Sequence, residues 1–166
     1  DKVWDELFLN LFPTHPYGNQ TTIGTIEHLK NPSIKKVIDY YNTYYVPNNM
    51  AIVLSGDLDP EKTIELVNTY WGSKPFKNVP PFISPVEKSI TKPIETEVIG
   101  PEAENLMIAF RFPGANTKEN DLAAMVDMVL ANSAVGLLDL NLNQSQKVLG
   151  SGSFVYTNKD YSSHIL

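Results

Sequence analysis

The side chains able to carry chemistry are few and scattered. Histidines stand at positions 15, 28 and 164, and there is no cysteine. A catalytic zinc site needs about three protein ligands plus an open position, commonly two histidines one helical turn apart with a carboxylate elsewhere. No such pair occurs here. Glu27 and His28 are adjacent, so on a helix their side chains diverge by about 100°. His15, beside Pro16, reads as a loop histidine that hydrogen-bonds locally. No residue of the chain is assigned as a metal ligand.

Other chemistries fare no better. A serine nucleophile needs a histidine base and usually a sharp glycine-flanked turn, but Ser151-Gly-Ser153 lacks the G-x-S-x-G spacing. Ser55-Gly56 reads as a strand end entering a turn. Asp57 and Asp59 are the only carboxylates paired in a special turn, and the turn accounts for both, with Asp59 placed to cap the helix that follows. Gly100-Pro101 and Gly150-Ser-Gly152 lack the lysine and spacing of a phosphate loop. Neither a catalytic nor a cofactor-binding residue is assigned.

Composition narrows the partners. The 166 residues are 42% hydrophobic and 10% aromatic, which suits a folded chain with apolar material for a core. Net charge is -6 and Arg111 is the sole arginine, so nucleic acid is not an expected partner. The longest apolar run, Met50 to Leu54, is too short to span a bilayer. The lack of cysteine rules out disulfides and fits cytoplasm or periplasm equally.

The elements that would position these residues form an α+β pattern. Val3, Trp4, Leu7, Phe8 and Leu11 recur at helical spacing before Pro13. A turn-rich loop follows to Gly18, and residues 19–32 are expected to stay largely irregular. Ser33 can cap a helix burying Ile34, Val37, Ile38, Tyr41 and Tyr45. Met50 to Ser55 reads as an interior strand, and Asp59-Pro60 opens a helix that runs to Gly72 with Ile64, Val67, Tyr70 and Trp71 on its apolar face.

Residues 76–93 are proline-rich and are expected to link a first unit, 1–75, to a second, 94–166. In the second unit, Ile94 to Ile99 and Asn105 to Phe112 read as strands, with alternation in the latter. Thr117 or Asn116 starts a helix with Leu122, Met125, Val126, Val129 and Leu130 in its stripe, and Met125 and Met128 are expected in the core. A short helix over Val135 to Leu142 and strands over Ser151 to Thr157 and Ser162 to Leu166 complete the pattern. The fold class is α+β, with mixed or antiparallel sheets flanked by helices. The chain opens within a helix and stops on Ile165-Leu166, so it is expected to be a piece of a longer protein. Apolar faces left open at either end would be satisfied by a homodimer of the piece.

Four segments in order, His15-Pro-Tyr-Gly18, Thr22-Ile-Gly24, Tyr44-Tyr-Val-Pro-Asn-Asn-Met50 and Val53-Leu-Ser-Gly-Asp-Leu-Asp-Pro60, resemble the pitrilysin/insulinase family of metallopeptidases. Trp71-Gly72 matches the aromatic-glycine pair that closes the family's next helix. Leu106 to Phe112, Asp121 to Asn132 and Gly136 to Leu142 are similar, more loosely, to the opening of the family's following domain.

The resemblance implies a zinc-dependent endopeptidase of repeated α+β domains that close around peptides. In that family zinc sits on an inverted His-x-x-Glu-His helix with a distal glutamate, both upstream of the part that looks like this chain. Zinc is therefore expected in the intact parent, and this chain alone is expected to be inactive. Its partners would be peptide substrate and other domains or a subunit of the same family. A non-catalytic, substrate-holding partner subunit is the alternative. A third reading, an independent module that adds a peptide to a strand edge, follows from the residues alone.

Overall fold

The computed structural model describes residues 2–20, 22–101 and 103–166. The chain divides into two units, one of Asp1–Thr22 with Ser84–Leu166 and one of Ile23–Ile83.

The first unit is built on a three-stranded antiparallel sheet: β1 (Ala109–Pro113), β2 (Phe154–Thr157) and β3 (Tyr161–Ile165), in the order β1-β3-β2. Opposite partners include Arg111 with Ser163 and Tyr156 with Ser163. Side chains alternate across a pleated strand. Tyr161, Ser163 and Ile165 therefore share one face with Arg111, Phe154 and Tyr156, while Ser162 and His164 point to the other.

Helix α1 (Lys2–Leu11) covers the first of these faces. Its periodic stripe ends in buried Leu11 and Phe12. Trp4, Phe8 and Phe12 are one turn apart, and their rings follow one another at 6.0 Å. From this row Trp4 reaches Phe154 at 6.1 Å, Phe8 meets Tyr156 edge-on at 5.7 Å, and Phe12 lies 5.8 Å from Tyr161. Aromatic stacking along one helix face thus fixes the helix across the sheet. After Pro13 the chain makes a second short helix, α2 (Pro16–Asn19), with His15 as its N-cap and Pro16 in its first turn.

The opposite face carries α6 (Lys118–Leu130), capped by Thr117, whose hydroxyl accepts the Asn120 N–H. The helix is where the sequence placed it, but it is turned about its axis. Leu122, Val126 and Val129 are exposed, and Met125 and Met128 are each 64% exposed where core positions were expected. The face toward the sheet runs through Asn120, Ala123 and Asp127. Asn120 bonds Thr157, Asp127 bonds Ser153 and His164, and the small Ala123 side chain is buried between them. Polar partners on the sheet side match this rotation, and the buried one among them, His164, gains its partner in Asp127.

After a 3-10 turn at Ser133–Val135, residues Asp139–Asn143 form a π-helical turn where a short helix was expected. Ile94 to Ile99, expected as a strand, is irregular. Ladder pairing starts only at Ile108, which exchanges both main-chain bonds with Leu166.

The second unit is helical: α3 (Ile26–Lys30), α4 (Ile34–Tyr44) and α5 (Pro60–Trp71). Helix α3 lies in a stretch expected to be irregular, and Thr25 caps it by accepting the His28 N–H. Ser33 and Asp59 cap α4 and α5 as their positions suggest. Met50 to Ser55 is a correction. The run is unpaired, with Val53 87% exposed. A strand needs a neighbour for its N–H and C=O groups, and the described residues of this unit form helices and loops only. The apolar faces of α4 and α5 are likewise open. Ile34, Val37, Ile38, Tyr41, Ile64 and Tyr70 are all exposed. The unit is tied locally by Asn48 and Lys77, whose amide and main chain exchange bonds at 2.9 and 3.2 Å, and by Lys77 Nζ, which donates to the Asn42 carbonyl at 3.0 Å.

The fold is thus α+β: one unit is an antiparallel sheet with helices on both faces, and the other is helical.

Candidate functional site

A cluster of polar groups lies in the first unit, where His15-Pro-Tyr-Gly18 leaves α1. Gly18 belongs there for lack of space. A Cβ on it would sit 2.3 Å from the Phe12 carbonyl oxygen and 2.4 Å from that of Phe8. The turn can fold back on the end of α1 only with glycine at this point.

Glu87 holds the turn. Its Oε1 accepts the main-chain N–H of Thr14 and of His15, both at 2.7 Å. Its own N–H donates to the Tyr161 hydroxyl at 2.9 Å, which in turn donates to the Pro85 carbonyl at 3.2 Å. The second carboxylate oxygen faces Arg111, with Nη1 3.9 Å from Oε2. The Arg111 guanidinium also donates to the carbonyls of Leu11 and Lys88, and it lies 5.9 Å from the Phe12 ring and 5.7 Å from that of Tyr161. One cation therefore serves the carbonyl end of α1, the proline-rich segment and two aromatic faces.

His15 is fully buried. Its Nδ1 accepts the Tyr17 N–H at 3.2 Å, which leaves the ring proton on Nε2, 3.4 Å from Asp160 Oδ2. The Tyr17 hydroxyl accepts the Asp160 N–H at 3.3 Å. The imidazole packs against the rings of Tyr17 at 4.0 Å and Tyr161 at 5.4 Å.

The arrangement is an anchor. A general base must present a lone pair where a substrate can reach it. One Glu87 oxygen is engaged by two N–H groups, the other faces Arg111, and His15 has no accessible surface. On the far face of the sheet, Ser153 Oγ donates to Asp127 Oδ1 at 2.6 Å, and His164 Nε2 lies 2.9 Å from the same oxygen. Serine, aspartate and histidine are all present, but the carboxylate stands between the other two. A nucleophilic triad needs the imidazole in the middle, taking the hydroxyl proton.

The remaining candidates behave as local structure. Asp59 caps α5, and bonds from the Lys62 main chain, its side chain and the Glu61 N–H hold its carboxyl below the ordinary value. His28 sits on exposed α3.

Zinc can be tested directly against these side chains. Among the described residues no three His, Cys, Asp or Glu groups gather as a metal-holding set. His15 and His164 are on opposite sides of the sheet, each beside a single carboxylate. The described residues do not fit the ion. Among the described residues, no helix is long and apolar enough to cross a membrane.

Beside the anchor lies an open groove of about 580 Å³ between α1, α2 and β2. Trp4, Phe8, Tyr17 and Tyr156 form its walls, with Asp5, Asn19 and Asn158 among the polar groups lining it.

Sequence reasoning singled out His15 but not its partners. Glu87 is one acidic residue in a proline-rich run, and nothing local marks it. Arg111 is marked as the sole arginine, though its strand position does not reveal what it clamps.

Residues 33–166 match the family model described as the Peptidase M16 inactive domain. Among curated proteins, the chain is 30% identical over 95 residues to zinc protease PqqE of Helicobacter pylori, covering 57% of this chain and 19% of that protein. It is 31% identical over 71 residues to the uncharacterized zinc protease YmfH of Bacillus subtilis, covering 43% of this chain and 16% of that one. A probable zinc protease, PqqL of Haemophilus influenzae, is 33% identical over 51 residues, 31% of this chain and 6% of its own. The chain thus spans less than a fifth of each of these relatives. In solved structures, a protease from Helicobacter pylori shares the fold with a TM-score of 0.52 at 16% identity, over 99% of this chain and 45% of that one.

Proposed function

The chain belongs to the Peptidase M16 family, matching its inactive domain, and from that premise we propose that it is a non-catalytic scaffold segment of a zinc-dependent metalloendopeptidase that cleaves peptides within a closed chamber. The observation that carries this reading is the anchor itself. Glu87, Arg111 and His15 direct their polar atoms at main chain and at neighbouring charged groups, which stiffens a wall and leaves none of the three poised for bond cleavage. The zinc of such an enzyme would be bound by residues outside this chain. Its partners would be further domains or a subunit of the same family, together with peptide substrate.

The test uses the longer parent polypeptide and this chain side by side. Zinc is measured by inductively coupled plasma mass spectrometry, and activity by cleavage of a quenched fluorescent peptide with and without a chelator. Equimolar zinc and chelator-sensitive cleavage in the parent, with neither in the chain alone, are the expected results. A parent free of zinc and of cleavage would overturn the enzyme reading and assign the chain to a non-catalytic partner subunit. Cleavage by the chain alone would overturn the scaffold role.

A further inference from the structure

Met50 to Leu54 is the longest apolar run of the chain. Such a run suits an interior strand, which is paired on both edges and covered on both faces. In the second unit it has one of these four contacts. Met50 has extended backbone, with φ -129° and ψ 147°. Ile52 and Leu54, two positions apart, line a hollow of about 240 Å³ with Ile64 and Val67 of α5. That spacing is the period of a strand with one face turned to the helix. Val53, between them, takes no part in the hollow and is 87% exposed. Among the described residues, no main-chain N–H or C=O from Ala51 to Ser55 enters a hydrogen bond. One face is in use, and the other face and both edges are open.

The open edges select the chemistry of what covers them. Alternating N–H and C=O groups at strand spacing are matched by the main chain of another strand, so the partner is a polypeptide. A second copy of this chain fits poorly. Antiparallel pairing of the run with itself would fill one edge in each copy and leave the other open. A longer polypeptide can fill both. The matches to the curated relatives described above span less than a fifth of each, and the solved protease that aligns with 99% of this chain has only 45% of its own length in the alignment. Proteins of this kind therefore carry further chain in quantity.

We propose that Met50–Ser55 is an interior strand whose neighbouring strands, together with the cover over Val53, come from parts of the parent polypeptide outside these 166 residues. The proposal rests on the reading above that the chain is a segment of a longer parent. It does not rest on the zinc or the peptidase activity of that parent.

The test is amide hydrogen–deuterium exchange, read by mass spectrometry, on the 166-residue chain and on the parent polypeptide at the same pH. In the chain alone, the amides of Ala51 to Ser55 should exchange at the rate of an unstructured peptide. In the parent they should exchange at least a hundredfold more slowly. The amides of β3, paired on both sides, are the internal reference and should be protected in both. Fast exchange in both proteins would overturn the proposal. So would slow exchange in the chain alone, which light scattering would assign to a second copy if the mass is that of a dimer and to pairing within the chain if it is that of a monomer. A second measurement identifies the partner: with Val53 replaced by the photo-cross-linker p-benzoylphenylalanine, the irradiated parent should yield a link from position 53 to a peptide outside the 166 residues, at monomer mass. A link to another copy, or to a residue within the 166, would overturn the proposal. The exchange measurement needs no substitution and stands if that variant does not fold. An inactive parent with a protected strand would overturn the enzyme reading alone, and an active parent with an unprotected one would overturn the strand alone.

Discussion

Glu87 and His15, 72 positions apart in sequence, are joined by a 2.7 Å bond from the His15 main-chain N–H to the Glu87 carboxylate. The same oxygen takes the N–H of Thr14, and the other faces Arg111. Removing the carboxylate leaves two N–H groups and a guanidinium short of an acceptor. Glu87→Ala should therefore lower the unfolding free energy of the chain by about 3 kcal/mol, measured by urea denaturation. Arg111→Met keeps the stem and removes the charge. Because the two residues share one network, the double variant should cost less than the sum of the single ones. Strict additivity would show that they act separately.

Gly18→Ala drives a methyl group into the carbonyls of Phe8 and Phe12. Overpacking of this kind costs about 1–3 kcal/mol. The loss should appear as a lowered Tm, with near-ultraviolet circular dichroism reporting loosened aromatic packing around Phe12. An unchanged Tm would mean that the turn has room the structure does not show.

The Asp59 carboxyl is held below its ordinary value by the Lys62 main chain and side chain. A group depressed in the folded state contributes stability above its unfolded value and loses it as pH falls through the folded one. Helix α5 should therefore fray on acidification through the carboxylate range. A chain carrying Asp59→Asn, which still caps but does not titrate, should lose that part of the pH dependence. The amide signals of Glu61 and Lys62, followed by NMR, provide the measurement.

Ser153 should be inert as a nucleophile. Its hydroxyl donates to Asp127 and has no imidazole acting on it. Incubation with a fluorophosphonate, followed by intact-mass spectrometry, should show no adduct. A stoichiometric adduct at Ser153 would restore a serine-hydrolase reading of the far face of the sheet.

Much of this fold is legible in the residues. Pro13, Ser33, Asp59 and Thr117 mark helix ends because stop and cap chemistry is local. The alternation before Phe112 marks a strand for the same reason. What depends on a distant partner is not legible. Met50 to Leu54 has the composition of an interior strand, yet pairing requires a neighbour that sequence alone does not supply. The orientation of α6 is hidden because Asp127 meets His164 and Ser153 from 37 and 26 positions away. The anchor is hidden for a like reason: Glu87 gains its role from Thr14, His15 and Arg111, none of them near it in sequence.

The strand order β1-β3-β2 has a consequence for how the chain is born. The central strand is the last of the three to be synthesised, so β1 and β2 have no ladder to join until Tyr161–Ile165 emerges. Tyr17 must wait for Asp160, 143 residues later. At ordinary translation speeds that interval is roughly ten seconds. Through it the aromatic row of Trp4, Phe8 and Phe12 has no sheet to cover it. Slower translation therefore lengthens the time for which that row stays open to other apolar surfaces.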